Sequence, residues 1–152
     1  MQNIKFRTFS LKTNDWVYGY YAKFRNFKNE VYECIIPMDK ETGEAYIENI
    51  TSFAEGSLGQ FTGLYDKNGK EIYENDIVRI LYTDWTSKSD NDQRTLDEYL
   101  RDIAKIGVIE WDKFYPQYCI HFMDKDNYGL LTYGKYGYIE VIGNVFQNKD
   151  LL

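Results

Sequence analysis

Cys119 and His121 are two residues apart, which on a strand places thiol and imidazole on one face, the arrangement of a cysteine nucleophile beside its base. A working pair also needs a third group to orient the imidazole, and no Asn or Asp is identifiable for that task. Two half-buried neighbours on a strand give the same spacing. The expectation is therefore a protein that is not an enzyme, with Cys119 and His121 as its single possible exception. The other cysteine, Cys34, forms no C-x-x-C spacing with Cys119. Two such thiols supply neither a disulfide framework nor a zinc site and suit a reducing cytoplasm.

Cation and phosphate motifs fail when read residue by residue. Asp124, Asp126 and Gly129 imitate the opening of a calcium loop, but Tyr128 occupies a ligand position and Lys135 stands where the closing carboxylate belongs. Gly63 and Gly69-Lys70 suggest a phosphate loop, yet the spacing is one residue too long and Glu71 replaces the required hydroxyl. The acidic group Asp84, Asp90, Asp92, Asp97, Glu98 and Asp102 reads as solvated loop and helix face, with Asp97 and Glu98 suited to a helix N-terminus. No metal and no cofactor is expected.

Charge separates the chain into two parts. Overall it carries 18 Lys and Arg against 24 Asp and Glu, a net charge of -6, opposite to the footprint of a duplex-DNA binder. Residues 1–30 invert that balance: Lys5, Arg7, Lys12, Lys23, Arg25 and Lys28 face only Asp15 and Glu30, interleaved with aromatics such as Tyr21 and Phe27. Cations beside stacking rings are what single-stranded nucleic acid binds. A half-buried hairpin produces the same alternation of core ring and solvated cation, and in an acidic chain that reading is preferred. Lys5, Arg7, Lys23, Arg25, Lys28, Tyr21 and Phe27 remain the alternative nucleic-acid face. Such a bipolar chain also suits head-to-tail self-association.

These groups must be carried by strands. Three Trp, fifteen Tyr and nine Phe with only two Pro favour β structure. Period-2 patterning predicts strands over 4–9, 16–24, 31–36, 45–50, 77–82, 105–111, 117–122, 129–133 and 138–146, and a hairpin over 61–73. Asn68-Gly69 between alternating apolar residues marks a tight hairpin turn, and Asn75 suits a left-handed change of direction before the strand at 77. Thr95 and Glu98 have capping-box spacing, and Leu96, Leu100 and Ile103 follow at i, i+4 and i+7, so one short amphipathic helix is predicted over 96–104. The turn-rich stretch before residue 57 divides the chain into a 1–56 N-terminal β region and a 57–152 region with a helical insertion at 83–105. No signal-peptide layout opens the chain, and no apolar run approaches the roughly 20 residues of a membrane span. A soluble, cytoplasmic protein without a membrane partner is expected.

Four blocks then carry a resemblance: Ile4-Lys5-Phe6-Arg7; the stretch 61–78 with Gly63, Asn68-Gly69 and Glu74-Asn75-Asp76; Gly107-Val108-Ile109-Glu110-Trp111; and Glu140-Val141-Ile142-Gly143-Asn144-Val145-Phe146. Through them the chain resembles the YopX family of phage and prophage proteins over nearly its whole length. The resemblance implies a mainly β protein in which an SH3-like small barrel follows an N-terminal β region, encoded by a phage or prophage and present in the bacterial cytoplasm; it implies no established activity. Glu74-Asn75-Asp76 departs from the family's usual Glu-Gly-Asp, and Asn is the best non-glycine substitute at a left-handed turn.

Turn chemistry alone accounts for every polar residue of the 61–78 block, with Asp76 capping a turn. Tyr65, Tyr73 and Glu74 are nonetheless the candidate rim of a shallow aromatic groove, and Leu96, Leu100 and Ile103 a candidate docking face. The function expected is that of a non-catalytic accessory module working by protein contacts, with itself as a homo-oligomer or with a host or phage protein. Single-stranded nucleic-acid binding is the alternative.

Overall fold

The computed structural model describes residues 4–39, 41–45, 54–82, 104–123, 127–130 and 137–152. The predicted helix over 96–104, with Leu96, Leu100 and Ile103, lies outside the described residues, as do the acidic group at 84–102, residues 124–126 and most of the strand predicted over 45–50. Ten strands and a terminal 3-10 turn, Lys149–Leu151, make up the rest, in two antiparallel sheets. The mainly β class read from the sequence is observed.

Two compact units divide the chain, Met1–Gly63 and Leu64–Leu152. The division falls later than the expected 56/57 because residues 54–61 are tied to the first strand. That strand, β1 (Phe6–Ser10), pairs on one side with β2 (Asp15–Arg25) and on the other with β4 (Gly59–Tyr65), while β3 (Val31–Pro37) lies beyond β2. Ser57 is buried against β1: its hydroxyl accepts from the Phe9 amide at 3.1 Å, lies 2.7 Å from the Thr8 hydroxyl and donates to the Ala54 carbonyl. The β1–β2 and β2–β3 turns each use an Asn in the left-handed region, Asn14 (φ 54°) and Asn29 (φ 64°). Gly19 is required in β2, because a Cβ there would lie 2.0 Å from the Ile36 carbonyl oxygen.

The second unit begins with the hairpin turn at 66–70. Gly69 is left-handed (φ 78°), and the Asp66 amide donates to the Lys70 carbonyl at 2.7 Å. β5 (Glu71–Tyr73) follows, neighbouring β4 in the first sheet's order. The second sheet runs β10 (Gly137–Asn144), β6 (Asp76–Tyr82), β7 (Lys105–Asp112), β8 (Gln117–Phe122), β9 (Asn127–Leu130). Its core is apolar on one alternating set: Val78 and Ile80 of β6, Ile109 of β7, Ile120 and Phe122 of β8, Ile139 and Val141 of β10, with Ile72 from β5. The sheet is open, with β9 and β10 at its edges and no pairing between them among the described residues. The SH3-like closure implied by the resemblance is therefore not observed. β10 carries a bulge between Val141 and Gly143, where a Cβ on Gly143 would meet the Asn148 side chain at 2.8 Å.

Candidate functional site

β8 places Cys119 and His121 two residues apart on one face of the strand, and β7 supplies what surrounds them. Cys119 pairs with Glu110, and His121 with Val108. The Cys119 side chain is 2% exposed and its thiol donates to the Glu110 carbonyl at 3.5 Å. Burial, then the charges of Asp112 and Glu110, push this thiol's pKa up. His121 Nδ1 turns to Glu110 Oε1 at 3.6 Å. Burial first, and the two carboxylates after it, disfavour the thiolate, which is the reactive form of a thiol. Cys34 is also buried, and burial raises its pKa. Among the described residues no three His, Cys, Asp or Glu side chains converge to hold a metal ion, and no helix is long and apolar enough to cross a membrane.

The N-terminal cations do not form one open face. Arg7, expected on the solvated side of β1, is 6% exposed with its guanidinium 4.7 Å over the Trp16 ring; Arg7, Thr8, Phe9 and Ser10 are all buried, so both alternating sets of β1 are covered. Lys5 lies 4.7 Å over the Phe61 ring. Lys23 is paired with Glu33 at 2.6 Å, which holds the Glu33 carboxyl low and the Lys23 ammonium high. Tyr21 packs against Phe6 with ring centroids 5.6 Å apart. Arg25 donates to the Asn29 side chain at 3.1 Å, while Lys28 and Phe27 stand exposed in the β2–β3 turn.

The 61–78 block behaves as turn chemistry. Asp66 is buried, and its Oδ1 accepts from the amides of Asn68 (2.8 Å) and Lys70 (2.9 Å) while Oδ2 accepts from the Val141 amide (3.1 Å). Burial opposes ionisation, but these donors and the Lys70 charge outweigh it, so the carboxyl sits below its ordinary range. Asp76, also buried, accepts from the Tyr73 amide at 2.8 Å. Asn75 takes the left-handed conformation (φ 67°) expected of it, and its amide donates to the Ile109 carbonyl. The groove rim is not assembled as expected: Tyr65 is exposed and Glu74 half-buried, but Tyr73 is 1% exposed, with its hydroxyl donating to Glu71 at 2.6 Å. Tyr73 belongs to the interior. Glu74 is electrostatically close to Tyr118, whose hydroxyl is pushed up to about 12 by burial and by that charge.

Two hairpin tips stand out that strand patterning did not isolate. At the β2–β3 tip Phe24 and Tyr32 stack at 5.7 Å, both nearly half exposed, beside a fully exposed Phe27. Asn26 fixes this turn, its Oδ1 accepting from the amides of Lys28 (2.9 Å) and Glu30 (3.0 Å) and its Nδ2 donating to Glu30 at 2.7 Å. At the β7–β8 tip Trp111 meets Tyr118 edge-on at 5.0 Å, and Phe114 (91% exposed) and Tyr115 project beyond them. Asp112 fixes that turn by accepting from the amides of Phe114 (2.8 Å) and Tyr115 (3.1 Å). The available signal was an aromatic lodged inside a turn sequence, Asn26-Phe27-Lys28-Asn29 and Asp112-Lys113-Phe114-Tyr115.

Comparison with protein families matches residues 5–152 to the YopX protein family. The chain belongs to the YopX family. It is also similar to a crystal structure of protein EF1440 from Enterococcus faecalis, at 19% identity and a TM-score of 0.47, over 100% of this chain and 99% of that one. Comparison with curated proteins finds no match. Within this YopX-family chain, the blocks that carried the resemblance supply the β4–β5 turn, the bulge in β10 and core positions of β6 and β7. Neither exposed tip is centred on those blocks, although Trp111 closes the third of them.

Proposed function

We propose that this chain is a phage- or prophage-encoded accessory protein that acts by protein contacts in the host cytoplasm and performs no covalent chemistry. One observation carries the reading: exposed aromatics are held on turns wired by Asn26 and Asp112, while the thiol and the imidazole are engaged with β7. Aromatic anchors on a rigid support are the usual centres of binding energy at protein interfaces, because little ordering entropy is lost on contact. A cluster of such rings is more than the scattered apolar exposure of an ordinary surface.

Single-stranded nucleic acid on the N-terminal strands is the weaker reading. Of its cations, Arg7 is buried, Lys5 lies over the Phe61 ring and Lys23 is paired, which leaves Arg25 and Lys28 beside the Phe24–Tyr32 stack. A filter-binding titration with an oligothymidylate is expected to give no salt-sensitive affinity.

The contact reading is tested by passing host lysate over tagged protein, with Phe27→Ser and Phe114→Ser as controls, and measuring the mass of the purified chain. Retention of a stoichiometric protein that either variant loses, or self-association of the pure chain, supports it. A strict monomer that captures nothing overturns it.

A further inference from the structure

The two tips carry opposite local charge. Around the β2–β3 tip, Lys23 is neutralised by Glu33, and Glu30 is bound to Asn26 and to the Tyr32 hydroxyl at 2.9 Å. No carboxylate pairs with Arg25 or Lys28 among the described residues, so this tip presents rings flanked by two cations and by the Glu30 carboxylate, whose partners are neutral, and its balance is still positive. The β7–β8 tip presents rings flanked by Glu110 and Asp112, with Lys113 as the only cation between residues 110 and 117. Asp112 caps the turn by accepting from two backbone amides, and no cation neutralises it there among the described residues.

Two β2–β3 tips brought together would oppose like charges, and so would two β7–β8 tips. A β2–β3 tip against a β7–β8 tip aligns cations with carboxylates and ring with ring, and aromatic pairs favour the offset and edge-on contacts that both tips already use internally. We infer that the chain self-associates head to tail, the β2–β3 tip of one copy seating Phe24, Phe27 and Tyr32 on Trp111, Phe114 and Tyr115 of a second copy. The inference rests on the protein-contact role proposed above and names its partner. Because the two surfaces differ, the contact is heterologous: a pair of copies keeps one unused tip of each kind, one on each copy, and assembly continues into a ring or an open chain.

Light scattering after size exclusion, with sedimentation over a concentration series, tests this on the full-length protein. Phe27→Ser and Phe114→Ser each remove one exposed ring that no core contact needs, and circular dichroism checks that both variants stay folded. Wild type is expected to grow in mass with concentration and to shrink as salt is added. Each variant alone is expected to associate at least about tenfold more weakly, as for loss of a central aromatic anchor. An equimolar mixture of the two is expected to form 1:1 dimers and nothing larger, since one intact tip of each kind survives on different chains. Variants that assemble as wild type does, or a mixture that stays monomeric while wild type assembles, overturn the inference. A monomeric wild type that still retains a stoichiometric partner from lysate overturns the head-to-tail contact alone; a monomer that captures nothing overturns the contact role with it.

Discussion

Asp66 offers a sharp test of the idea that buried acids here hold backbone rather than perform chemistry. Its carboxylate serves three amides, two inside the 66–70 turn and one, Val141, across on β10. In Asp66→Ala all three donors lose their acceptor. The Asn68 and Lys70 amides belong to an exposed turn that water reaches, so each lost bond costs about 0.5–1 kcal/mol, whereas Val141 is buried and its stranded N–H costs about 1–3 kcal/mol. The sum is about 2–5 kcal/mol, a large share of the stability of a domain this size. Asp66→Asn keeps one oxygen and places a donor against either the turn amides or Val141, so it recovers only part of the loss. The pH dependence follows from the sign of the shift. The folded-state carboxyl lies below its unfolded value near about 3.9, so its stabilisation is fully present above that value and disappears as pH falls through the lower, folded one. Urea unfolding of wild type and Asp66→Asn at neutral pH and in strong acid reads both terms: the gap should be wide at neutral pH and narrow below the folded-state pKa. An Asp66→Ala effect under about 0.5 kcal/mol at neutral pH, or a gap that stays constant into strong acid, refutes the reasoning.

Gly19→Ala forces a methyl group into the Ile36 carbonyl and should destabilise the first unit by about 1–3 kcal/mol or more, seen as faster hydrogen exchange in β1–β3 than in β6–β8. Asn75→Ala puts an ordinary side chain at φ 67° and should cost about 1–2 kcal/mol in denaturant unfolding, while Asn75→Gly restores the family's usual residue without that strain. Cys119 should react with iodoacetamide at neutral pH only as fast as the sheet opens, gain reactivity above the ordinary thiol range, and react at the free-thiol rate in urea. A Cys119 that is alkylated rapidly in the folded protein would reinstate it as a nucleophile.

The parts of the fold legible in sequence were those written locally. Gly69 and Asn75 announce turns because few other residues tolerate their backbone angles, and Asp76 was readable as a cap because its partner, the Tyr73 amide, lies three residues away along the chain. Pairings across long separations were not legible. Alternation assigned Arg7 to solvent because period 2 marks two faces without saying whether both are covered; in β1 both sets are buried and the guanidinium lies on Trp16 instead. The long-range pairing of β1 with β4 moved the unit boundary past residue 57. Tyr73 was misassigned to a rim for a related reason: an aromatic beside turn residues looks exposed until β5 is seen to carry it inward next to Ile72.

The exposed tips follow from one habit of this sequence, the use of short polar side chains as local backbone acceptors. Asp39, Asp66, Asp112, Asn26 and Asn144 each accept from amides two to four residues ahead, so the turns they close are rigid without help from the core. Where the turn sequence also holds an aromatic, that rigidity prevents the ring from folding back onto the body of the sheet. A flexible loop would hide Phe27 or Phe114 part of the time and would lose conformational freedom on every contact; a wired turn keeps the ring outward and meets its partner already ordered. Since no core residue depends on these rings, a substitution there changes what the protein touches while leaving what holds it together in place, and that separability lets contact be tested apart from folding.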